Sequence, residues 1–165
     1  MYKPTLITSS KTDGYLQLSF KDFDQAPSGW RLLVKEKSYE EAANRILTYV
    51  TQKEGLDEYQ TAILYFHAGQ ALAFNNNINS ALSYFEKALH KHELENSFIQ
   101  WNDYVNATIA FLKKDENVLK TCKTKMKDTD PNLPIVNNML ERLGESYLEV
   151  YNMPRKQENI VKLVK

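Results

Sequence analysis

Residues 63–89 of this chain read ILYFHAGQALAFNNNINSALSYFEKAL, and their pattern decides how the rest of the sequence is interpreted. Two stretches with apolar residues at helical spacing flank a polar break of three asparagines at 75–77. The first stretch places four residues on one helix face, at i, i+3, i+4 and i+7: Tyr65, Ala68, Gly69 and Leu72. The second stretch does so at i, i+4 and i+7 with Ala81, Phe85 and Ala88. The small residues in both stretches predict two helices that pack closely across the break.

A large aromatic or apolar residue recurs along the chain at a nearly constant interval. Trp30, Tyr65, Trp101 and Leu140 are separated by 35, 36 and 39 residues. Together with the Ala-x3-Phe sequence of 81–85, this pattern resembles the tetratricopeptide repeat, which has a period of about 34 residues. The resemblance covers residues 28–151 and implies an all-α fold of antiparallel helix pairs in a short right-handed solenoid. The predicted organisation is an N-terminal arm or β-hairpin at 1–27, helical repeats at 28–154 and a capping helix at 155–165.

The first 27 residues differ in pattern from the rest of the chain. Residues 5–8 and 15–20 are short β-type runs, and the second alternates apolar with polar residues. Asp13-Gly14 between them is a strong turn signal, so the pattern predicts a β-hairpin. Two strands alone are marginal in water, and an extended arm that lies against the helices or in their groove remains the alternative.

Start and stop signals place the helix boundaries of the first two repeats. Ser38, with Glu41 three residues later, forms a capping-box sequence and predicts a helix that begins at Tyr39. Gly55 suits the left-handed backbone that often ends a helix. Asn76, between the two central helices, tolerates the same conformation.

Two further units follow the central repeat. The third begins near Ser97 and turns at 113–115, but it lacks the glycine and alanine signature and is a degenerate repeat. The fourth restores the pattern in the sequence Leu143-Gly144-x-x-Tyr147, which predicts one helix that runs through Gly144.

The composition narrows the classes of partner and compartment. The 165 residues carry 21 basic and 21 acidic side chains, and a net charge of zero argues against nucleic acid or an anionic membrane as the main partner. One cysteine, Cys122, excludes an internal disulfide and fits a reducing compartment. The sequence has no apolar run long enough to span a membrane and no secretory signal at its start. We therefore expect a cytoplasmic protein.

The sequence offers little for catalysis, and we expect neither an enzyme nor a bound metal or cofactor. His90 and His92 are two residues apart at a predicted helix end, so they point to different sides and make a poor metal-binding pair. Cys122 has no evident base near it, and no glycine-rich phosphate loop is present. A small enzyme that uses His67 or Cys122 is the less favoured alternative.

The resemblance implies a binding site on the first helix of each pair, because these A helices line the concave groove of such arrays. It assigns the ligand-facing positions to the residue after each recurring large residue and to residues one or two turns further along. These positions are Arg31, Lys35, Phe66, Gln70, Phe74, Asn102, Asn106, Glu141, Glu145 and Glu149. The lysine-based clamp that holds a C-terminal carboxylate in this family is not reproduced, because Phe66 stands where a lysine is needed.

The polar positions at the third and fourth repeats suggest what the groove holds. Asn102 and Asn106, at i and i+4, suit a peptide backbone because each amide both donates and accepts hydrogen bonds. Glu141, Glu145 and Glu149 form a predicted i, i+4, i+8 carboxylate stripe that attracts a basic segment. A solvated helix face is the simpler interpretation of that stripe.

The aromatic positions of the central helix complete the predicted groove. Phe66 and Phe74 fall outside the seam between Tyr65 and Leu72, and exposed aromatic residues are typical interface anchors. If the N-terminal arm folds into the groove, the same two side chains become part of the core.

These patterns favour a non-catalytic protein- or peptide-binding module whose partner carries a basic segment. One alternative is an immunity or antitoxin-type protein that neutralises a basic enzyme, which rests on size and charge pattern alone. Another is a structural protein that self-associates as a homodimer through its ten tyrosines and two tryptophans.

Overall fold

The computed structural model of the chain describes residues 14–91 and 99–155. The chain divides into two compact units, Met1–Lys91 and His92–Lys165. Every regular element in the described residues is helical, which confirms the all-α prediction. These residues form nine α-helices, because part of the predicted N-terminal arm is helical and the fourth repeat is split into two helices.

The first unit contains five α-helices and two short helical turns. The turns are a 3-10 helix at Gly14–Gln17 and an irregular helical turn at Pro27–Arg31. The α-helices are α1 (Phe20–Gln25), α2 (Leu32–Lys35), α3 (Tyr39–Gln52), α4 (Glu58–Phe74) and α5 (Ile78–Lys87). The second unit contains α6 (Trp101–Lys113), α7 (Glu116–Lys125), α8 (Leu133–Glu141) and α9 (Tyr147–Asn152).

Helix α4 is the centre of the first unit. It packs against α3 on one side and α5 on another. Six consecutive residues, 68–73, are buried, and six successive helical positions cover every side of the helix. A Cβ atom built on Gly69 would lie 3.1 Å from the ring of Phe85, so this glycine allows α5 to approach as the sequence predicted.

The second unit packs around α6. This helix contacts both α7 and α8, and α8 in turn contacts α7 and α9. The side chain of Asp130 is buried in the connection that precedes α8, where it accepts hydrogen bonds from the backbone N–H groups of Gln100 and Asn132. Tyr104 and Tyr147 are buried as well.

Three helix-to-helix turns share one backbone geometry. Each has a non-glycine residue in the left-handed region: Lys37 (φ 62°), Asn76 (φ 57°) and Lys114 (φ 58°). In each turn the following residue donates its N–H to the carbonyl five positions earlier, at 2.8 Å, 2.9 Å and 2.8 Å. This is the hydrogen bond of a Schellman motif. The left-handed residues are 39 and 38 positions apart, so one helix–turn–helix geometry recurs through the described chain.

The prediction that residues 15–20 form the second strand of an N-terminal hairpin is wrong. Residues 15–20 span the Gly14–Gln17 3-10 helix and the start of α1, where the hydroxyl oxygen of Ser19 accepts from the N–H of Asp22 and caps the helix. Four apolar residues of this stretch are partly buried and pack against a core cluster that includes residues of α3: Tyr15, Leu16, Leu18 and Phe20. The first expected strand, residues 5–8, lies outside the described residues.

The predicted capping box at Ser38 is also wrong, for a local reason. A capping box needs the N–H of Ser38 as a donor to Glu41, but the preceding turn already uses it for the bond to the carbonyl of Leu33. Ser38 makes no side-chain capping bond. The capping box lies instead at α4, where Asp57 Oδ1 accepts from the N–H of Gln60 over 2.7 Å and the Gln60 side chain accepts from the N–H of Asp57.

This difference predicts unequal effects at two helix starts. Asp57→Ala is expected to lower the free energy of unfolding by about 1 kcal/mol, because it removes a cap that satisfies an exposed backbone donor. The matched change Ser38→Ala is expected to leave it nearly unchanged. Urea denaturation of both variants measures the difference, and equal losses would contradict the assignment of the caps.

The fourth repeat does not contain the continuous helix that the sequence predicted. Helix α8 ends at Glu141 and α9 begins at Tyr147. Gly144 between them has φ +101°, a backbone conformation that a helix cannot accommodate. The hydroxyl oxygen of Ser146 accepts from the N–H of Glu149 and caps the new helix. The predicted capping helix at 155–165 falls on residues that, except for Arg155, lie outside the described chain.

Candidate functional site

Two of the three predicted groove positions on α4 are buried. Phe66 is 2 % exposed and Gln70 is 6 % exposed, so the expectation that they face a groove is wrong. The ring of Phe66 packs edge-on against Phe85 with 5.0 Å between centroids. Phe74 is half-buried, and its ring meets that of Tyr39 at 5.6 Å. Positions outside the predicted seam are covered because α4 has packing partners on more than one side.

The two basic positions of the first repeat differ in their surroundings. The Arg31 Nη2 atom lies 3.6 Å from a carboxylate oxygen of Asp24, and its guanidinium group lies 4.5 Å from the Trp30 ring centroid. Arg31 therefore belongs to a cluster within the fold. Lys35 is exposed at the end of α2.

The two predicted positions on α6, Asn102 and Asn106, belong to a narrow stripe along that helix. Asn102, Asn106, Ile109 and Lys113 recur at i, i+4, i+7 and i+11. The first three are half-buried and Lys113 is exposed, whereas much of the rest of α6 is buried. We call these four residues the α6 stripe. It carries two amides, one apolar side chain and one positive charge on a single helix face.

The predicted carboxylate stripe does not exist as one helix face. Glu141 is the last residue of α8, Glu145 lies in the following turn and Glu149 lies in the first turn of α9. Glu145 pairs with Arg142, and Glu149 accepts a hydrogen bond from the Ser146 hydroxyl over 2.8 Å. The three side chains are exposed but have separate local roles, because the left-handed Gly144 interrupts the helix.

The structure contains a cluster of polar side chains around one buried carboxylate, that of Asp24, which the sequence did not predict. Asp24, on α1, is 1 % exposed, and its Oδ1 atom lies 2.8 Å from Nδ1 of His67 on α4. The indole N–H of Trp30 donates to the same oxygen over 3.4 Å. The Gln25 amide and the Arg31 guanidinium contact the other carboxylate oxygen.

The surroundings of Asp24 favour its charged form. Burial is the largest single influence and by itself raises the pKa of the carboxyl group. The hydrogen bond to His67, the positive charges of His67 and Arg31 and the bond from Trp30 together outweigh it and hold the pKa below its usual value of 3.8. The cluster is therefore a carboxylate clamp that fixes α1 to α4.

Donor side chains on α3 and on Lys53, the residue directly after it, hold the N-terminal part of the unit. Arg45, Tyr49 and Lys53 recur at i, i+4 and i+8. Arg45 donates to the carbonyl of Gly29 over 3.0 Å, and Tyr49 donates to that of Leu18 over 2.9 Å. Lys53 donates to the carbonyl of Leu16 over 3.3 Å. We call these three residues the α3 donor row.

The side chain of Phe23 adds an apolar anchor beside this row. Phe23 is fully buried and stacks on the ring of Tyr49, with 3.7 Å between centroids and an interplanar angle of 2°. Burial of an aromatic side chain of this size stabilises the docked segment by about 1.5–3 kcal/mol. The described part of the N-terminal arm therefore packs on α3 and α4.

The remaining residues considered for catalysis or metal binding, Cys122 and His90, make contacts that serve the fold. Cys122 is a buried free thiol whose pKa is raised by burial first and by the nearby charge of Asp103 second, so its thiolate form is disfavoured. His90 stacks on Tyr59 with ring centroids 5.0 Å apart. Across residues 14–91 and 99–155, no group of three histidine, cysteine or acidic side chains is arranged to hold a metal ion.

The comparisons with known proteins add no family to these observations. Among the helices that the structure describes, none combines the length and apolar character needed to cross a membrane. No protein-family model, curated protein or solved structure matches this chain.

Proposed function

We propose that this chain is a non-catalytic module that binds a protein or peptide through the exposed faces of tetratricopeptide-like helix pairs. The observation that carries the proposal is the recurrence of one left-handed turn at Lys37, Asn76 and Lys114. Each of these turns joins two helices that pack on each other: α2 with α3, α4 with α5, and α6 with α7. Tandem helix pairs of this kind bury their shared faces and present the others as extended binding surfaces. We propose that the pairs continue as a short right-handed solenoid.

Within this proposal the α6 stripe is the favoured contact surface. It lies on the first helix of its pair, where the repeat architecture places ligand-facing residues. The amides of Asn102 and Asn106 are one turn apart, a spacing at which neighbouring side chains on a helix reach the same ligand. Ile109 adds apolar contact area beside them. A peptide backbone, with alternating donors and acceptors, matches this chemistry.

The proposal is tested by changing the stripe without changing the fold. The full chain and its Asn102→Ala/Asn106→Ala variant are used as baits in native extract, and retained proteins are quantified by mass spectrometry. Asn117→Ala/Thr121→Ala, an exposed pair at the same spacing on α7, is the matched control. We expect at least one protein to be retained by wild type and control and depleted about fivefold or more by the stripe variant, which corresponds to roughly 1 kcal/mol.

The controls distinguish a loss of folding, a binding surface elsewhere on the chain and an absence of binding. Circular dichroism must show that all three chains are folded to the same extent. Equal retention by the stripe variant and the control would move the binding surface away from α6. Retention of no protein by any of the three would argue against the binding module itself.

A further inference from the structure

We propose that the face of α3 and α4 beneath residues 14–31 is a second binding site, for a segment in which an aromatic residue is followed by aspartate. We further propose that residues 14–31, which we call the cis segment, occupy this site as an intramolecular ligand. This inference concerns the first unit alone and does not depend on the α6 stripe.

The α3 donor row recognises backbone and not side chains. Arg45, Tyr49 and Lys53 each donate to a main-chain carbonyl of the cis segment, at Gly29, Leu18 and Leu16. Every residue has a backbone carbonyl, so these three contacts are available to any segment with the same path. A row of this kind is what a site needs in order to accept a segment from another chain.

Two adjacent side chains of the cis segment supply the specificity. Phe23 stacks on Tyr49, and Asp24 meets His67 at 2.8 Å. One receiving group therefore comes from α3 and the other from α4. A segment without the aromatic residue leaves the Tyr49 face uncovered, and a segment without the carboxylate leaves the His67 Nδ1 atom without this partner. The site thus selects an aromatic–aspartate pair.

The cis segment has internal structure that allows it to dock and undock as one piece. A Cβ atom on Gly29 would lie 1.8 Å from the carbonyl oxygen of Phe23, so the segment folds tightly back on itself at a position that only glycine fits. The Arg31 side chain donates to the carbonyl of Asp24 and closes the same fold. After Arg31, the chain reaches α3 through α2 and the exposed residues Glu36 and Lys37.

Covalent attachment sets how strongly an external segment must bind. A tethered ligand with a short connection acts at an effective concentration on the order of millimolar. An external aromatic–aspartate segment therefore binds poorly to the wild-type chain, because the cis segment competes for the same site. It binds well once the cis segment is weakened. This competition distinguishes an intramolecular ligand from a fixed part of the core.

The experiment measures this competition with a defined peptide. A fluorescein-labelled peptide of residues 14–31 is titrated with the full chain, and binding is followed by anisotropy. We expect the Asp24→Asn chain to bind the peptide at least about tenfold more tightly than wild type, because its own segment competes less. Lys21→Gln, an exposed change on the same helix, is the matched control and is expected to behave as wild type. The peptide that itself carries Asp24→Asn is expected to bind about tenfold more weakly.

Hydrogen exchange on the intact wild-type chain gives an independent test that requires no variant. The amides of Phe23 and Ala26 are hydrogen-bonded within the cis segment. We expect them to exchange through a local opening that depends little on denaturant, whereas the amides of Leu64 and Leu72 on α4 exchange only through global unfolding. Equal peptide affinity for folded wild-type and Asp24→Asn chains would overturn the proposal. Exchange of the cis-segment amides only with global unfolding would also overturn it, because the segment would then be a fixed part of the core.

Discussion

A His67→Leu variant is expected to have a free energy of unfolding about 2–4 kcal/mol lower than the wild-type chain at pH 7. The substitution removes the partner of a carboxylate that is 1 % exposed and leaves Asp24 with Trp30, Gln25 and Arg31. Breaking a buried pair by removing one member is costly because the other charge stays desolvated. Removing one partner of a buried pair typically costs about 3–5 kcal/mol. We place the loss below the upper end of this range because Arg31 remains close to the Asp24 carboxylate.

The pH dependence of the same variant provides a second readout. In the wild type the pKa of Asp24 is lowered, so its contribution to stability is fully present above pH 3.8 and is lost as the pH falls through the folded-state pKa. Without His67, two of the influences that lower the pKa of Asp24 are absent, and we expect burial to outweigh those of Arg31 and Trp30 and to raise the pKa of Asp24 in the variant. The carboxyl group then binds its proton more readily in the folded state, and acidification favours folding. The stability difference between the two chains is therefore expected to narrow from pH 7 to pH 4, as measured by urea denaturation.

Two controls assign this effect to the contact between Asp24 and His67. His90→Leu changes a histidine of the same unit that stacks on Tyr59, and it is expected to show no such pH-dependent difference. The double variant Asp24→Asn/His67→Leu is expected to be more stable at pH 7 than the sum of the two single losses predicts, because no buried charge is left unpaired. Additive losses that do not change with pH would contradict a carboxylate–imidazole clamp.

The features that the sequence predicted well are those with local causes. The helix pairs of the central and third repeats follow from apolar spacing within about 15 residues and from turn residues that tolerate positive φ, as Asn76 does. The contact between Gly69 and Phe85 follows from the same spacing on two consecutive helices. Each of these inferences needs only the residues of one repeat.

The features that the sequence did not predict depend on distant partners or on competing uses of one group. Asp24 and His67 are 43 residues apart, and neither carries a local sign that the other lies within hydrogen-bond distance. The Ser38 capping box failed because its donor was already used by the preceding turn. The i, i+4, i+8 spacing of Arg45, Tyr49 and Lys53 was visible in the sequence, but two of the three carbonyls that they contact, those of Leu16 and Leu18, belong to a segment interpreted as a strand.

The error at the fourth repeat has a different physical origin. Leu143-Gly144 matched a helical motif in which glycine serves close packing, as Gly69 does in α4. Gly144 instead has φ +101°, the other use to which glycine is suited. A sequence pattern cannot separate these two uses, and the choice between them decided whether three glutamates shared one helix face.

Gly69→Leu is expected to lower the free energy of unfolding by about 2 kcal/mol. A Cβ atom at this position would already lie 3.1 Å from the Phe85 ring, closer than an ordinary van der Waals contact, and leucine adds three more carbon atoms. Overpacking in a well-packed core costs about 1–3 kcal/mol, and Phe85 is fully buried, so we place the cost at the upper end. Replacing a glycine inside a helix recovers about 0.8 kcal/mol through helix propensity, which gives the net value. Thermal and urea denaturation measure it.

The cause of that loss is testable through its coupling to Phe85. Phe85→Ala alone is expected to cost about 3–5 kcal/mol, because it empties a site that contacts both Gly69 and Phe66. In the double variant Gly69→Leu/Phe85→Ala, the leucine occupies part of the vacated space. The combined loss is therefore expected to be smaller than the sum of the single losses by at least about 1 kcal/mol. Strict additivity would mean that the leucine clashes with something other than the Phe85 ring, and the close approach of α4 and α5 would then need another explanation.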